Sequence, residues 1–138
     1  MIVFNYELDF ELIDESNYER WIKSIIGDYG FELGDVSYIF CDDTYLLNIN
    51  RQYLNHDDLT DIISFDYSES KLISGDIFIS IERVKENATK FSVEFNEELL
   101  RVMVHGILHF IGFKDKTEKE TVLMRKNEEI CIKKFINN

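Results

Sequence analysis

Residues 105–115 read His105-Gly106-Ile107-Leu108-His109-Phe110-Ile111-Gly112-Phe113-Lys114-Asp115, and the rest of the chain is best understood outward from them. Two histidines four apart on a helix differ by about 40° in azimuth, so both imidazoles leave from the same face. That is the geometry by which two side chains reach one metal ion. Gly112 can stop the helix in a left-handed turn and fold the chain back, which brings Asp115 to the place a third ligand is required. Three protein ligands leave a fourth position open for water, the arrangement of a catalytic zinc site.

The flanks of the pair are apolar: Leu99, Leu100, Val102, Met103 and Val104 before it, Ile107, Leu108, Phe110 and Ile111 within and after it. A helix apolar nearly all round is a buried one, and the spacing predicts it over roughly Asn96–Phe110. Two buried histidines need partners, and shared metal coordination satisfies both at once. Packing alone is the competing explanation; the correctly spaced glycine and aspartate favour the metal. Zinc peptidases of the H-E-x-x-H type carry a glutamate directly after the first histidine as general base. Gly106 stands there, which disfavours ordinary peptidase chemistry. Arg101 lies one turn before His105 on the same face, placed either to reach a substrate beside the metal or to pair with Glu97 or Glu98.

Elsewhere the pattern is that of a small α+β (α/β-like) single domain over residues 1–138. Ile2, Phe4, Tyr6, Leu8 and Phe10 alternate, predicting a half-buried strand over 2–10. Ser16-Asn17-Tyr18-Glu19 has the form of a capping box before a helix with Tyr18, Trp21, Ile22, Ile25, Ile26 and Tyr29 at helical spacing. Val36–Cys41 reads as a second strand. Asp42-Asp43 reads as the cap of a helix through Tyr53 rather than as a metal site. Asn55-His56-Asp57-Asp58 is a polar loop, with His56 expected to be solvated. Strands follow over Thr60–Phe65 and Ile73–Ser80, paired as a hairpin. A helix carries Ile81, Val84, Ala88 and Phe91, and Thr117-x-x-Glu120 opens a last helix with a second capping box. Four strands and about five helices around one buried metal-binding helix result. With no proline, turns rest on glycine, serine, aspartate and asparagine.

Three segments together resemble the YbeY family of metal-dependent endoribonucleases, the rRNA maturation factors. His105, Gly106, Leu108, His109 and Gly112 coincide with its H-G-x-L-H-x-x-G-Y-D-H motif, Phe113 replacing the tyrosine. Leu59-Thr60-Asp61-Ile62-Ile63-Ser64-Phe65 resembles its P-T-D-V-L-S-F strand, and Gly75-Asp76-Ile77-Phe78-Ile79-Ser80 its G-D-I-x-I-S strand. The resemblance implies a small mixed sheet with helices around a central one. It also implies a cytoplasmic, zinc-dependent, single-strand-type endoribonuclease acting in maturation of the small-subunit rRNA 3′ end and in ribosome quality control. Its partners would be ribosomal RNA and small-subunit components, with no membrane and no DNA. His105, His109 and Asp115 would be the metal ligands and act in catalysis through the metal, with Arg101 beside them. Asp61, Ser64, Arg51, Lys114 and Lys116 would contact substrate.

Two departures bear on the chemistry. Asp115 stands where the family usually has a third histidine; carboxylate oxygen is an acceptable zinc ligand, and its charge makes a bound water less acidic and favours harder divalent metals such as manganese. Tyr53 matches the tyrosine of the family's Y-R pair, but Leu54 replaces the arginine and offers nothing to a phosphate. Arg51 and Arg101 are the nearest substitutes.

A composition of 45% hydrophobic and 14% aromatic residues suits one compact unit of 138 residues. No stretch has the length of a membrane span, and the start lacks the pattern of a secretory signal. Cys41 and Cys131 form neither a disulfide framework nor a metal motif and are expected to be buried thiols. The net charge of −12 repels a polyphosphate, but its distribution is uneven. Residues 101–138 hold 8 Lys+Arg against 5 Asp+Glu, so Lys114, Lys116, Lys119, Arg125, Lys126, Lys133 and Lys134 would form a basic rim or solvate a terminal helix. A metallohydrolase of another bond type and a non-catalytic, metal-containing ribosome-associated factor are the alternatives. Oligomeric state has no signature in the sequence.

Overall fold

The computed structural model describes residues 1–136. Four strands, β1 (Ile2–Tyr6), β2 (Glu32–Cys41), β3 (Ile62–Asp66) and β4 (Leu72–Ser80), form one sheet in the order β1-β2-β4-β3. β1 and β2 run parallel, as do β2 and β4, and β3 closes the edge antiparallel to β4. The helices are α1 (Glu15–Asp28), α2 (Asp43–Leu54), α3 (Ile81–Lys90), α4 (Phe95–Ile111) and α5 (Glu118–Ile136). This is the expected mixed sheet, and the β3–β4 hairpin is where the alternation put it.

Strand alternation assigns the faces. Val36, Tyr38 and Phe40 of β2 and Ile73, Ile77 and Ile79 of β4 join the main core with α1, α4 and α5. Ile63 and Phe78 point the other way, where Leu46 and Ile49 of α2 cover them. α4 is buried over most of its surface from Glu98 to Phe110, as its apolar sequence required. Tyr38 crosses this core and donates its hydroxyl to the Met103 carbonyl at 2.8 Å, so its one polar atom is satisfied. Cys41 and Cys131 are buried free thiols; desolvation pushes Cys41 up to about 12 and Cys131 up to about 11, which keeps them inert.

Two local expectations fail for identifiable reasons. The first strand ends at Tyr6 rather than residue 10. Its partner β2 ends at Cys41 where α2 begins, and after Glu7 N–H reaches the Phe40 carbonyl the chain turns, Phe10 N–H donating to the Leu8 carbonyl at 2.9 Å. The apolar alternation continues because Phe10 folds back against Tyr6, Phe40 and Phe95. Ser16 does not cap α1 either. The cap is Asp14, in the left-handed region at φ 60° and with no side-chain cap bond. Glu15 accepts from the Tyr6 hydroxyl at 2.5 Å, so the helix begins before Ser16, whose hydroxyl donates to Asp14. The other caps stand: Asp42 accepts from Tyr45 N–H at 2.8 Å, and Thr117 and Glu120 exchange side chain-to-backbone bonds at 3.1 and 2.9 Å.

How closely α4 lies on the sheet explains two glycines. A Cβ on Gly106 would stand 2.9 Å from Ile77 Cδ1 and 3.2 Å from Ile62 Cδ1. The position that carries the glutamate of zinc peptidases therefore faces the sheet here and is filled by packing. A Cβ on Gly75 would stand 2.4 Å from the Phe65 carbonyl oxygen and 2.6 Å from Phe110 Cζ. Because one obstacle is backbone, the strand cannot relieve it by a rotamer change. Gly75→Ala is expected to destabilise the fold by about 3 kcal/mol, measured by urea unfolding; a variant as stable as the wild type would show that the Phe65 carbonyl and the Phe110 ring do not stand this close to Gly75.

Candidate metal centre

α4 carries His105 and His109 on the one strip of its surface that the core leaves partly open, 20% and 30% exposed at the side chain. The helix ends at Gly112, whose φ of 127° and ψ of 1° let the chain reverse where a side chain would be strained. The reversal has two products. The Phe113 carbonyl returns over the last turn and meets His109 Nδ1 at 2.9 Å, and Asp115 arrives beside both imidazoles. Asp115 is itself held from α5, where Thr121 Oγ1 donates to its carbonyl at 3.1 Å.

Three side-chain atoms then converge. His105 Nε2 and His109 Nε2 are 3.0 Å apart, and Asp115 Oδ2 is 3.2 Å from each. The opposite ring nitrogens determine what these atoms are. His105 Nδ1 lies 2.6 Å from Glu128 Oε2 and His109 Nδ1 faces a carbonyl, so in the neutral rings both Nδ1 atoms are the donors and both Nε2 atoms present lone pairs. Two lone pairs and a carboxylate oxygen aimed at one another repel unless a cation lies among them. Ligand atoms on a tetrahedral ion with bonds of about 2.0–2.1 Å are separated by about 3.3 Å, close to the spacing here. The group His105, His109 and Asp115 can hold a metal ion, and its two-nitrogen, one-oxygen donor set suits zinc or a neighbouring divalent metal.

Glu128 on α5 is the residue that the sequence reading missed. It is 4% exposed and uses both oxygens, Oε2 on His105 and Oε1 on Arg101 Nη1 at 3.3 Å. Its signal was present: Met124, Cys131 and Ile132 mark the buried stripe of α5, and Glu128 falls in the middle of it. Burial opposes protonation of His105, but the hydrogen bond and charge of Glu128, with Asp115 and Asp61 beyond, outweigh it and hold that pKa above the usual imidazole value. A positive charge is favoured at this point.

A cleft of about 360 Å³ opens beside His105 and Asp115, lined also by Asp61, Asn87 and Arg101. Desolvation raises the pKa of Asp61, partly offset by the nearby His105, and Asn87 Nδ2 donates to its carboxylate at 3.2 Å. Arg101 is buried and shared among three carboxylates: Glu98 at 3.7 Å, Glu128, and Glu129. The pairing expected with Glu98 is present, Glu97 is not a partner, and the guanidinium is engaged rather than free. Lys114 and Lys116 are exposed on either side of Asp115. Arg51 is paired with Asp57, and neither it nor Ser64 lines the cleft. His56 is exposed in its loop, as expected, and Leu54, at the end of α2, is 42% exposed.

Known proteins share this sequence and this fold. The family profile described as Endoribonuclease YbeY matches residues 4–136. Proteins named Endoribonuclease YbeY are 57% identical over 135 residues in Flavobacterium psychrophilum (98% of this chain, 96% of the relative) and 53% over 135 residues in Flavobacterium johnsoniae (98% and 97%). The solution structure of TM1509 from Thermotoga maritima shares the fold, with a TM-score of 0.67, 24% identity, and coverage of 98% of this chain and 89% of that one. With a buried histidine helix, a reversed Asp115 and a profile match over nearly the whole length, this chain belongs to the Endoribonuclease YbeY family.

Proposed function

We propose that this chain is a zinc-dependent endoribonuclease of the cytoplasm that matures ribosomal RNA, acting at the 3′ end of the small-subunit rRNA and in ribosome quality control in contact with small-subunit components. The observation that carries the metal dependence is the convergence of two imidazole lone pairs and a carboxylate oxygen within 3.2 Å of one another. The names of the relatives support RNA as substrate. His105, His109 and Asp115 would hold the ion; when bound, it supplies a Lewis acid for a phosphoryl oxygen and lowers the pKa of water.

The protein's own residues supply orientation. Glu128 and the Phe113 carbonyl fix the tautomers that aim both Nε2 atoms at one point. Arg101 acts as a positioning residue, because it anchors the second oxygen of Glu128 from within α4. Asp61, held by Asn87 in the cleft wall, is the carboxyl group placed to exchange a proton with the substrate, a role that Gly106 cannot fill. Lys114 and Lys116 meet flanking phosphates, whereas Arg51 and Ser64 lie off the cleft and would meet only RNA that runs past it. No helix among the described residues is long and apolar enough to cross a membrane.

Purified wild type is expected to carry close to one equivalent of zinc by elemental analysis and to cleave structured ribosomal RNA. His109→Ala and Asp115→Ala should lose metal and cleavage together. Metal that survives both substitutions would refute the site; bound metal with intact RNA would favour the non-catalytic ribosome-associated factor. Glu128→Gln keeps the shape of the side chain but not its charge, and is expected to weaken metal binding by about 10–100-fold in chelator competition. An unchanged affinity would mean that Glu128 does not set the His105 ring.

A further inference from the structure

Building on the endoribonuclease reading, we propose that Arg125 and Phe91 are substrate-binding residues, Arg125 holding an RNA phosphate next to His105 and Asp115 while Phe91 stacks one unpaired base.

Elsewhere around the site, every nearby guanidinium is engaged or missing. Leu54 occupies the position where the family resemblance places an arginine, Arg51 is paired with Asp57, and Arg101 is closed off by Glu98, Glu128 and Glu129. Arg125 lines the same cleft as His105 and Asp115. It is exposed and makes no ion pair among the described residues, although Glu98 lies close enough to feel its charge.

Its position on α5 is bracketed by contacts to the metal centre. Thr121 donates to the Asp115 carbonyl, and Glu128 bonds to His105 Nδ1. Arg125 stands four residues after the first and three before the second, so the three share one helix face at heights about 6 Å and 4.5 Å apart. A guanidinium rooted between two residues that touch the metal-site residues can reach a group lying against them. Its planar fork matches two phosphate oxygens at once, which an ammonium does not.

Phe91 supplies the second contact. It caps α3, lines the cleft beside Asn87, and leaves 53% of its surface exposed. A ring exposed at the wall of a polar cleft offers a face to any base that is not already stacked in a helix. The Lys90 ammonium, 5.6 Å from the ring centroid, adds positive charge for the adjoining backbone. The cleft volume of about 360 Å³ lies in the range of small-molecule sites and suits one nucleotide.

The test uses zinc-loaded protein and a fluorescently labelled single-stranded RNA oligonucleotide. Arg125→Gln is expected to raise KM about tenfold, with the slope of log(kcat/KM) against log salt shallower by about 0.7. Metal content and Tm should stay at wild-type values, and Arg125→Lys should recover part of the loss. Phe91→Ala is expected to raise KM about tenfold with the salt slope unchanged, and Phe91→Tyr should restore it. Lys85→Gln, an exposed lysine of α3 away from the cleft, controls for net charge and should behave as wild type. If wild type cleaves and Arg125→Gln matches it in KM and salt slope, or falls no further than Lys85→Gln, the assignment of Arg125 is overturned while the nuclease reading stands; a wild-type KM for Phe91→Ala overturns the stacking assignment. If zinc-loaded wild type neither binds nor cleaves the RNA, the nuclease reading itself fails and this inference with it.

Discussion

Mutual repulsion among three acceptor atoms organises this molecule around one point. His105 Nε2, His109 Nε2 and Asp115 Oδ2 are held within 3.2 Å of one another by groups that leave them no other geometry: a buried glutamate, a returning backbone carbonyl and a chain reversal at Gly112. Such an arrangement is unfavourable while all three atoms are acceptors, and it becomes favourable around a metal ion or when His105, whose pKa is raised, carries a proton. The surrounding fold overdetermines it. α4 is pressed on the sheet so closely that a Cβ at Gly106 would crowd Ile77 and Ile62, and one at Gly75 would meet Phe110 as well as the Phe65 carbonyl of β3. α5 is tied to the site at both Thr121 and Glu128, so the two ligand-bearing segments cannot move apart without breaking contacts on both sides.

The same packing accounts for the chemistry that the site does not do. In a helix of the H-E-x-x-H kind, the residue after the first histidine must look toward the substrate. Here that residue looks toward the side chains of Ile77 and Ile62, and an acid there would point into the apolar core rather than toward the cleft. The cleft lies instead on the side of Asp61 and α5, with carboxylates already neutralised in part by Arg101. In an acidic chain of net charge −12, this cleft is bordered by the exposed Lys114 and Lys116 and lined by Arg125, which makes no ion pair among the described residues.

Much of this was legible in the sequence, for reasons tied to local chemistry. The histidine spacing, the glycine after it and the unbroken apolar flanks state the buried helix and its reversal without reference to any other part of the chain. The caps at Asp42 and Thr117 are likewise local. What escaped depends on distant partners. Alternation through Phe10 promised a longer strand, but a strand needs a neighbour and β2 had already ended. Ser16 looked like a cap until the Tyr6 hydroxyl drew Glu15 into the helix first. Glu128 carries no motif of its own; only its place in the buried stripe of α5 separates it from the many surface glutamates. Arg101 could be placed beside His105 from spacing alone, yet its engagement with Glu128 and Glu129 requires knowing that α5 packs there.

Whether those three atoms bind one ion is tested most directly by X-ray absorption spectroscopy of the zinc-loaded protein. The expected result is a four-coordinate ion with two imidazole nitrogens, a carboxylate oxygen and one further exchangeable oxygen, all at about 2.0–2.2 Å, and loss of one imidazole shell in His109→Ala. Sulfur scattering, an all-oxygen shell, or a spectrum unchanged by that substitution would contradict it.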